Sequence, residues 1–332
     1  MKCGLLLLPF LGAAHRSVAD NIENAVEVVR TASTVGFEWI SASQHLVSHP
    51  TRWPQPLLIL SRMAPESGAM RLMTQMILLP LHNPVVVAEE VATLDHLSRG
   101  RVTLGVAIGY RETEMEAVGI TRADRTGRME ESIELMKRLW SGEEVTHAGR
   151  YFRVTKARMG FTPVQQPHPP IVLAAQSPRA AARAGRLGDG IFFGPQVAWK
   201  DIKALIDVYR EARRSAGRSG DGIIGSSRSL MLARDRAGAL AEAKAYMERT
   251  FAMYSGWEMQ EKSMVPLQLS AENVDEWAIL GSPDDCAATI SRIEREVGLT
   301  HISLSCYNLP ADGSARVDYV RRLGEDVVRR VS

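Results

Sequence analysis

The stretch MRLMTQMILLPLHNPVVVAEEVATLDHLSRGRVTLGVAIGY, residues 70–110, decides the fold. Arg71 to Leu79 is predicted as a strand, mainly apolar apart from Arg71, Thr74 and Gln75, which suits cover on both faces, because a strand with one wet face alternates apolar and polar residues. Asn83 follows as a helix N-cap whose side-chain oxygen can take one of the first unpaired amides, and Pro84 sits at the first helical position, where it has no N–H to lose. A helix is predicted through Leu97; Gly100 ends it, and Val102 to Ala107 supplies a second buried strand. Two doubly buried strands joined by a helix are expected to be parallel, since a parallel partner is reached only by a crossover.

The same grammar runs in both directions. Upstream, Cys3 to Leu8 is an apolar run, Ser17 with Asp20 forms a capping-box-like helix start, and Val18, Ile22, Ala25, Val26, Val29 and Ala32 recur at helical spacing before Gly36. Strand Phe37 to Ser43 comes next. Downstream, a helix over about Arg128 to Trp140 leads into the turn-rich segment Gly142 to Pro170, predicted as an irregular or hairpin excursion. Then come strand Ile171 to Ala175, a helix opened by Ser177 and Pro178 and closed near Gly188, and strand Gly190 to Phe193. Helix Trp199 to Ala216, a Gly/Ser-rich break at Gly217 to Gly222, strand Ser229 to Ala233 and helix Arg236 to Arg249 follow. Helix Asp284 to Val297, strand His301 to Cys306 and helix Ser314 to Val331 come last.

Eight such strands alternating with helices predict an α/β fold, a (β/α)8 TIM barrel spanning 1–332 as one domain. An open doubly wound sheet is the alternative, but its nucleotide-binding turn leaves a strand and enters a helix, whereas GRLGDG at Gly185 to Gly190 does the reverse. Thr250 to Leu280, carrying Tyr254, Trp257, Met264 and Trp277, falls outside the repeat and is assigned to a lid over the barrel mouth or to an oligomer contact.

Composition narrows the function. No apolar run is long enough for a membrane span, and a net charge of +2 without a basic stripe gives nucleic-acid binding no support, which leaves small-molecule chemistry. Cys3, Cys286 and Cys306 form no CxxC pair and no even framework, which fits a reducing, cytoplasmic setting. The opening MKCGLLLLPFLGAAH has the superficial look of an export signal, but Pro9 interrupts its apolar run and the same residues are needed for the first strand.

Five segments carry a family resemblance. GFEWISASQHL (36–46), the 70–110 stretch, RMEESIELMKRLWSG (128–142), PHPPIVLAAQSPRAAARAGRLGDG (167–190) and GSPDDCAATISRI (281–293) resemble bacterial luciferase-like monooxygenases, nearly end to end. The resemblance implies a reduced flavin at the C-terminal ends of the barrel strands. It implies either FMN, supplied by a separate NAD(P)H:flavin reductase and used with O2 on a small apolar substrate, or the deazaflavin F420, used for hydride transfer by a dehydrogenase or reductase. A homodimer or homotetramer is implied as well. A non-catalytic flavin-binding protein and a metal-dependent barrel hydrolase are the rivals from other classes.

Candidate residues follow. Ser177 opens a helix after a strand, so its hydroxyl, the neighbouring amides and the helix dipole converge where an anion can sit, and Arg179 adds charge; the resemblance places a flavin phosphate there and adds Gln176. It also places Thr74, Gln75 and Met76 beneath the ring, where relatives often carry a bulge with a non-prolyl cis peptide and a Gly that this chain replaces. For Met76, plain core packing is an equal reading. Ala107, Gly109 and Tyr110 are expected against the ring and ribityl chain. Some luciferases have a phosphate-binding Arg where Ile108 stands, so Arg111, Arg179 or another base must substitute. His45, at a strand's C-terminal end, is the catalytic candidate as acid or base; Gln44 before it replaces an acidic residue frequent in the family, so a carboxylate partner is not assured. Trp53 and Trp257 are candidate substrate walls, with loop packing as the alternative for Trp53. His45, His49 and His82 could in principle share a metal, but Pro50 puts His49 in a loop and no HExxH is present. Glu130 and Glu131, early in a helix, are read as structural.

Overall fold

The computed structural model describes residues 1–11, 16–244, 274–306, 308–310 and 312–331, and in it parallel strands close into a cylinder. In chain order these are β1 (Lys2–Leu6), β2 (Trp39–Ala42), β3 (Arg71–Thr74), β4 (Val102–Ala107), β5 (Ile171–Ala175), β6 (Gly190–Phe193), β7 (Ile223–Leu232) and β8 (His301–Cys306). Each pairs with the next, and β8 pairs with β1, Lys2 beside His301 and Leu5 beside Leu304, so neither end of the sheet is left as an open edge. The covering helices include α1 (Val18–Ala32), α2 (Pro56–Met63), α3 (Pro84–Leu97), α4 (Arg125–Trp140), α5 (Pro178–Leu187), α6 (Trp199–Ser215), α7 (Pro283–Val297) and α8 (Gly313–Leu323). Their starts are local chemistry: Ser17 accepts from the Asp20 amide, Asn83 from the Val85 amide and Ser282 from the Asp285 amide, each such cap being worth about 1 kcal/mol.

Alternate strand residues split between two cores. Ile40 and Ala42 of β2, Leu72 of β3, Ile171 and Leu173 of β5, and Ile191 and Phe193 of β6 join the helices in the outer core. Their neighbours Trp39, Met73, Val172 and Phe192 meet each other in a separate cluster, inside the cylinder. Burial on both faces is why these strands read as apolar runs. Glycine makes room for the two large rings: a Cβ on Gly4 would come within 2.0 Å of Trp39, and one on Gly225 within 2.5 Å of Phe192. Beside this aromatic cluster the side chains include small ones, with Ser41 Oγ 3.3 Å from Ser303 Oγ.

Several expectations change. β7 is ten residues long, where the apolar pattern predicts Ser229 to Ala233. Its middle carries Ser226, Ser227 and Arg228, which bond internally: Ser226 Oγ donates to the Phe193 carbonyl, and the Arg228 guanidinium donates to the Gly194, Val197 and Ser227 carbonyls, while Arg228 Nε is buried with no partner among the described residues. The second half of β7 outruns β6 and pairs along that edge with a further strand, Ala278–Gly281, Ser229 beside Ala278 and Leu232 beside Gly281. The end of the Thr250–Leu280 stretch is therefore sheet; its residues up to 273, with Trp257, lie outside the described residues. α2 is too short, at eight residues, to declare a period in the sequence. The excursion after α4 is a hairpin, Val145–Ala148 against Arg153–Ala157. The closing helix divides: α8 ends at Leu323 and a π-turn, Gly324–Val328, follows where Gly324 lies against Val35. Cys3, Cys286 and Cys306 are buried free thiols, and no described helix is long and apolar enough to cross a membrane.

Candidate active site

Past the end of β2 the chain carries Ser43, Gln44 and His45 over the rim. His45 Nδ1 lies 2.7 Å from Oε1 of Glu114, which stands on the short helix Glu112–Ala117 after β4, and the two side chains are 10% and 1% exposed. The same oxygen accepts from the Leu46 amide at 2.9 Å and from Arg111 Nη1 at 3.2 Å, while Arg111 Nη1 also donates to the Leu46 carbonyl at 2.9 Å. A carboxylate accepting from Nδ1 keeps the proton on that nitrogen and leaves Nε2 as the basic one. Trp53 and Tyr110 stand edge-on to the imidazole, their ring centroids 4.6 and 5.7 Å away. The acid absent at position 44 is thus supplied from position 114, and no spacing rule could have linked residues 69 apart.

Gln44 does different work. Its Oε1 accepts from the Leu78 amide (2.8 Å) and from His82 Nε2 (3.0 Å), and its Nε2 donates to Gln55 (2.8 Å). Burial lowers the pKa of His82, so the neutral ring is the donor there. These bonds tie the rim of β2 to the bend in β3, beyond which Ile77 and Leu78 pair again with β4. At the bend Thr74 Oγ1 donates to the Gly105 carbonyl and accepts from the Gly105 amide, both at 2.8 Å, and the Gln75 amide donates to the Ala42 carbonyl at 2.7 Å. The Gln75–Met76 peptide is cis. Gln75 Oε1 is buried without a partner among the described residues, whereas Met76 packs onto the interior cluster of Trp39, Met73, Val172 and Phe192.

Between β4 and α5 the rim is cationic. Ala107, Gly109 (φ 74°) and Tyr110 are half-buried at the end of β4, and Gln176, Ser177 and Arg179 are exposed at the end of β5, where Ser177 Oγ accepts from the Ala180 amide at 3.4 Å. Arg111, expected here as a phosphate base, is engaged with Glu114 instead. Arg125 and Arg122 take its place near the rim, donating to the Gly109 and Tyr110 carbonyls at 2.9 Å each. Burial, with the like charges of Arg122 and Arg183, lowers the Arg125 pKa, and Arg183 comes from α5, paired to Glu130 at 2.8 Å. The hydroxyl of Tyr110 is buried with no partner among the described residues; burial first, then Glu114, raises its pKa. A tricyclic ring with polar edges and a phosphate tail fits this set: Gln75 Oε1 and the Tyr110 hydroxyl lack partners, and gathered guanidinium groups beside a helix N-terminus suit an anion.

Trp53 is fixed beside His45 by donating Nε1–H to Ser43 Oγ at 2.9 Å, and among the described residues no three His, Cys, Asp or Glu side chains are grouped to hold a metal. Glu131 accepts from the Tyr151 and Phe152 amides and from His147, fastening the hairpin to α4. A groove of about 520 Å³ bordered by Glu130, Glu131, Glu134, His147 and Arg186 lies on the flank, at the end of α5 away from Ser177.

Comparison with known proteins bears on the family and the fold. The family model for luciferase-like monooxygenases matches residues 1–301. Over 309 residues the chain is 28% identical to an F420-dependent glucose-6-phosphate dehydrogenase of Kineococcus radiotolerans, covering 87% of each protein. Over 289 residues it is 28% identical to a 4-hydroxyprotoasukamycin monooxygenase of Streptomyces nodosus subsp. asukaensis, covering 82% of this chain and 77% of that one. The crystal structure of monooxygenase RslO1 from Streptomyces bottropensis matches with a TM-score of 0.86 at 25% identity over 100% of both chains. A closed (β/α)8 cylinder and a family match along most of its length lead to one conclusion: the chain belongs to the luciferase-like monooxygenase family and is an oxidoreductase of that family.

Proposed function

We propose that the protein is a flavin-dependent monooxygenase, taking reduced FMN from a separate NAD(P)H:flavin reductase and using O2 on a small organic substrate with an apolar body. The observation that carries this reading is the buried His45, Glu114 and Arg111 arrangement on the rim beside Tyr110 and Trp53. Reduced flavin, when bound, supplies the electrons that activate oxygen. Glu114 orients the imidazole, and Nε2 of His45 takes or returns a proton. Tyr110 and Trp53 shield that nitrogen from water, and Trp53 forms a wall for the substrate. Gln176, Ser177 and Arg179, with Arg125 and Arg183, hold the phosphate; Thr74, Gln75, Met76, Ala107 and Gly109 border the ring. The same proposal takes 1–332 as one domain, gives the 250–273 stretch with Trp257 to the substrate side or an oligomer contact, and takes the assembly as a homodimer or homotetramer. Leu58 on α2 and Val86 on α3, both large, apolar and exposed, support self-association.

F420 is the second reading, supported by the F420-dependent relative from Kineococcus; there His45 would handle a proton beside a hydride transfer. Separate anaerobic titrations of the protein with reduced FMN and with F420, followed by oxygen uptake on admitting air, distinguish them. Selective binding of reduced FMN with oxygen consumption is expected, and tight F420 binding without oxygen consumption overturns the FMN reading. His45→Ala is expected to lower turnover far more than flavin affinity; turnover unchanged by it would remove His45 from the chemistry.

A further inference from the structure

We propose that the mouth holds a second anion site, at the β8–β1 seam, and that it receives a carboxylate on the substrate; this rests on the flavin reading of the mouth. In a ring of eight strands that seam lies across from β4 and β5, where Arg122, Arg125 and Arg183 gather, so the two cationic groups stand on opposite sides of the opening.

The second group is Arg16 and Arg316 at the N-terminus of α8, with Arg52 bonded to the backbone of Arg16. Arg316 stands in the first turn of α8 and is 3% exposed; its Nε donates to the Pro310 carbonyl at 2.7 Å, while its Nη1 is buried with no partner among the described residues. The Arg16 guanidinium lies over Gly313, where a Cβ would come within 2.9 Å of its Nη1, and Arg52 donates to the Arg16 carbonyl. Asn24 approaches the same glycine, donating to its carbonyl at 3.0 Å. The carboxylate at this point, Asp312, already serves as the helix cap, accepting from the Ala315 amide at 3.0 Å and from the Ser314 hydroxyl. Cations belong at the C-terminal end of a helix, not at its positive N-terminal end, so arginines gathered at this end leave an excess of positive charge. A planar carboxylate matches the guanidinium fork and would give Arg316 Nη1 an acceptor. Arg52 leads directly into Trp53, whose ring lies against His45, so a molecule anchored here by its acidic end runs along Trp53 toward the imidazole.

Octanoate and octanol, titrated into the flavin-free protein and followed by tryptophan fluorescence and by thermal shift, test this, with FMN and F420 binding measured alongside. Octanoate is expected to bind about tenfold or more tightly than octanol, a difference of about 1.4 kcal/mol. Arg316→Gln and Arg52→Gln are each expected to erase most of that preference, while His45→Ala keeps it and the affinities for FMN and F420 hardly move. Arg52 is half-buried and caps no helix, so its variant keeps the test valid should Arg316→Gln misfold. Equal binding of the two probes, or a preference that survives Arg52→Gln, overturns the proposal. Loss of F420 affinity in these variants, with octanoate unaffected, also overturns it by giving the arginines to the cofactor. Retained octanoate preference in a protein that binds neither flavin supports the anion site while the flavin reading falls.

Discussion

Glu114 decides what His45 can do, because a buried carboxylate on Nδ1 sets both the tautomer and the ring's orientation. Glu114→Gln keeps the volume and gives up the charge. Its turnover is expected to fall about 10- to 100-fold with flavin affinity little changed, as measured by steady-state kinetics beside a flavin titration. Glu114→Ala also takes the carboxylate away from Arg111, whose side chain is 7% exposed, and is expected to cost about 3–5 kcal/mol in urea unfolding. The cationic corner makes a separate prediction, since riboflavin has the ring and lacks the phosphate. Arg125→Gln should weaken FMN about tenfold or more and leave riboflavin binding unchanged; equal losses for both would remove Arg125 from phosphate binding.

At the level of elements, β3 and β4 meet so closely at the bend that only glycine fits at position 105. A Cβ there would come within 2.0 Å of the Thr74 carbonyl and 2.6 Å of Met76 Sδ, and a backbone carbonyl cannot swing aside as a side chain can. Gly105→Ala is expected to lower stability by about 1–3 kcal/mol and to weaken flavin binding, since the displaced segment, Thr74 to Met76, borders the proposed ring site. A variant with the wild-type thermal midpoint and wild-type flavin affinity would show that the bend is compliant. β7 shows how an element escapes detection by pattern. Its serines and Arg228 are polar in the sequence, yet they are buried because neighbouring loops present carbonyls to them.

For the whole molecule, the acid limb of stability follows from two histidines kept neutral on folding. Burial, helped by the charges of Lys2 and Arg71, lowers His301 from 6.5 to about 4, and burial lowers His82. In the unfolded chain both titrate near 6.5, so below that pH the unfolded state binds more protons and stability falls as pH drops from about 6.5 toward 4. Above about pH 7 these groups have no effect on stability. Carboxylates held low by hydrogen bonds, such as Asp285 and Asp312, act in the same direction only below their ordinary 3.8. The urea midpoint at pH 5 is expected below that at pH 7.5, and His301→Gln should flatten the difference; an unchanged slope in that variant would assign the acid limb elsewhere.

Most of the cylinder is legible in the chain because its signals are local. Asn83 and Pro84 announce α3, Ser177 and Pro178 announce α5, and the runs in β3, β4, β5 and β6 are apolar since both faces of each strand are covered. Capping acts over three residues and periodicity over a turn or two, so neighbours in sequence suffice to read them. His45 and Ser177 were likewise readable as the ends of strands and the beginning of a helix. Only closure of the barrel brought Glu114 to His45, Arg125 to Arg183, and Arg16 to Arg316. Each of those pairs joins separate segments of the chain, and the distance between their charges depends on which strands the ring makes adjacent, a quantity that no short stretch of sequence contains.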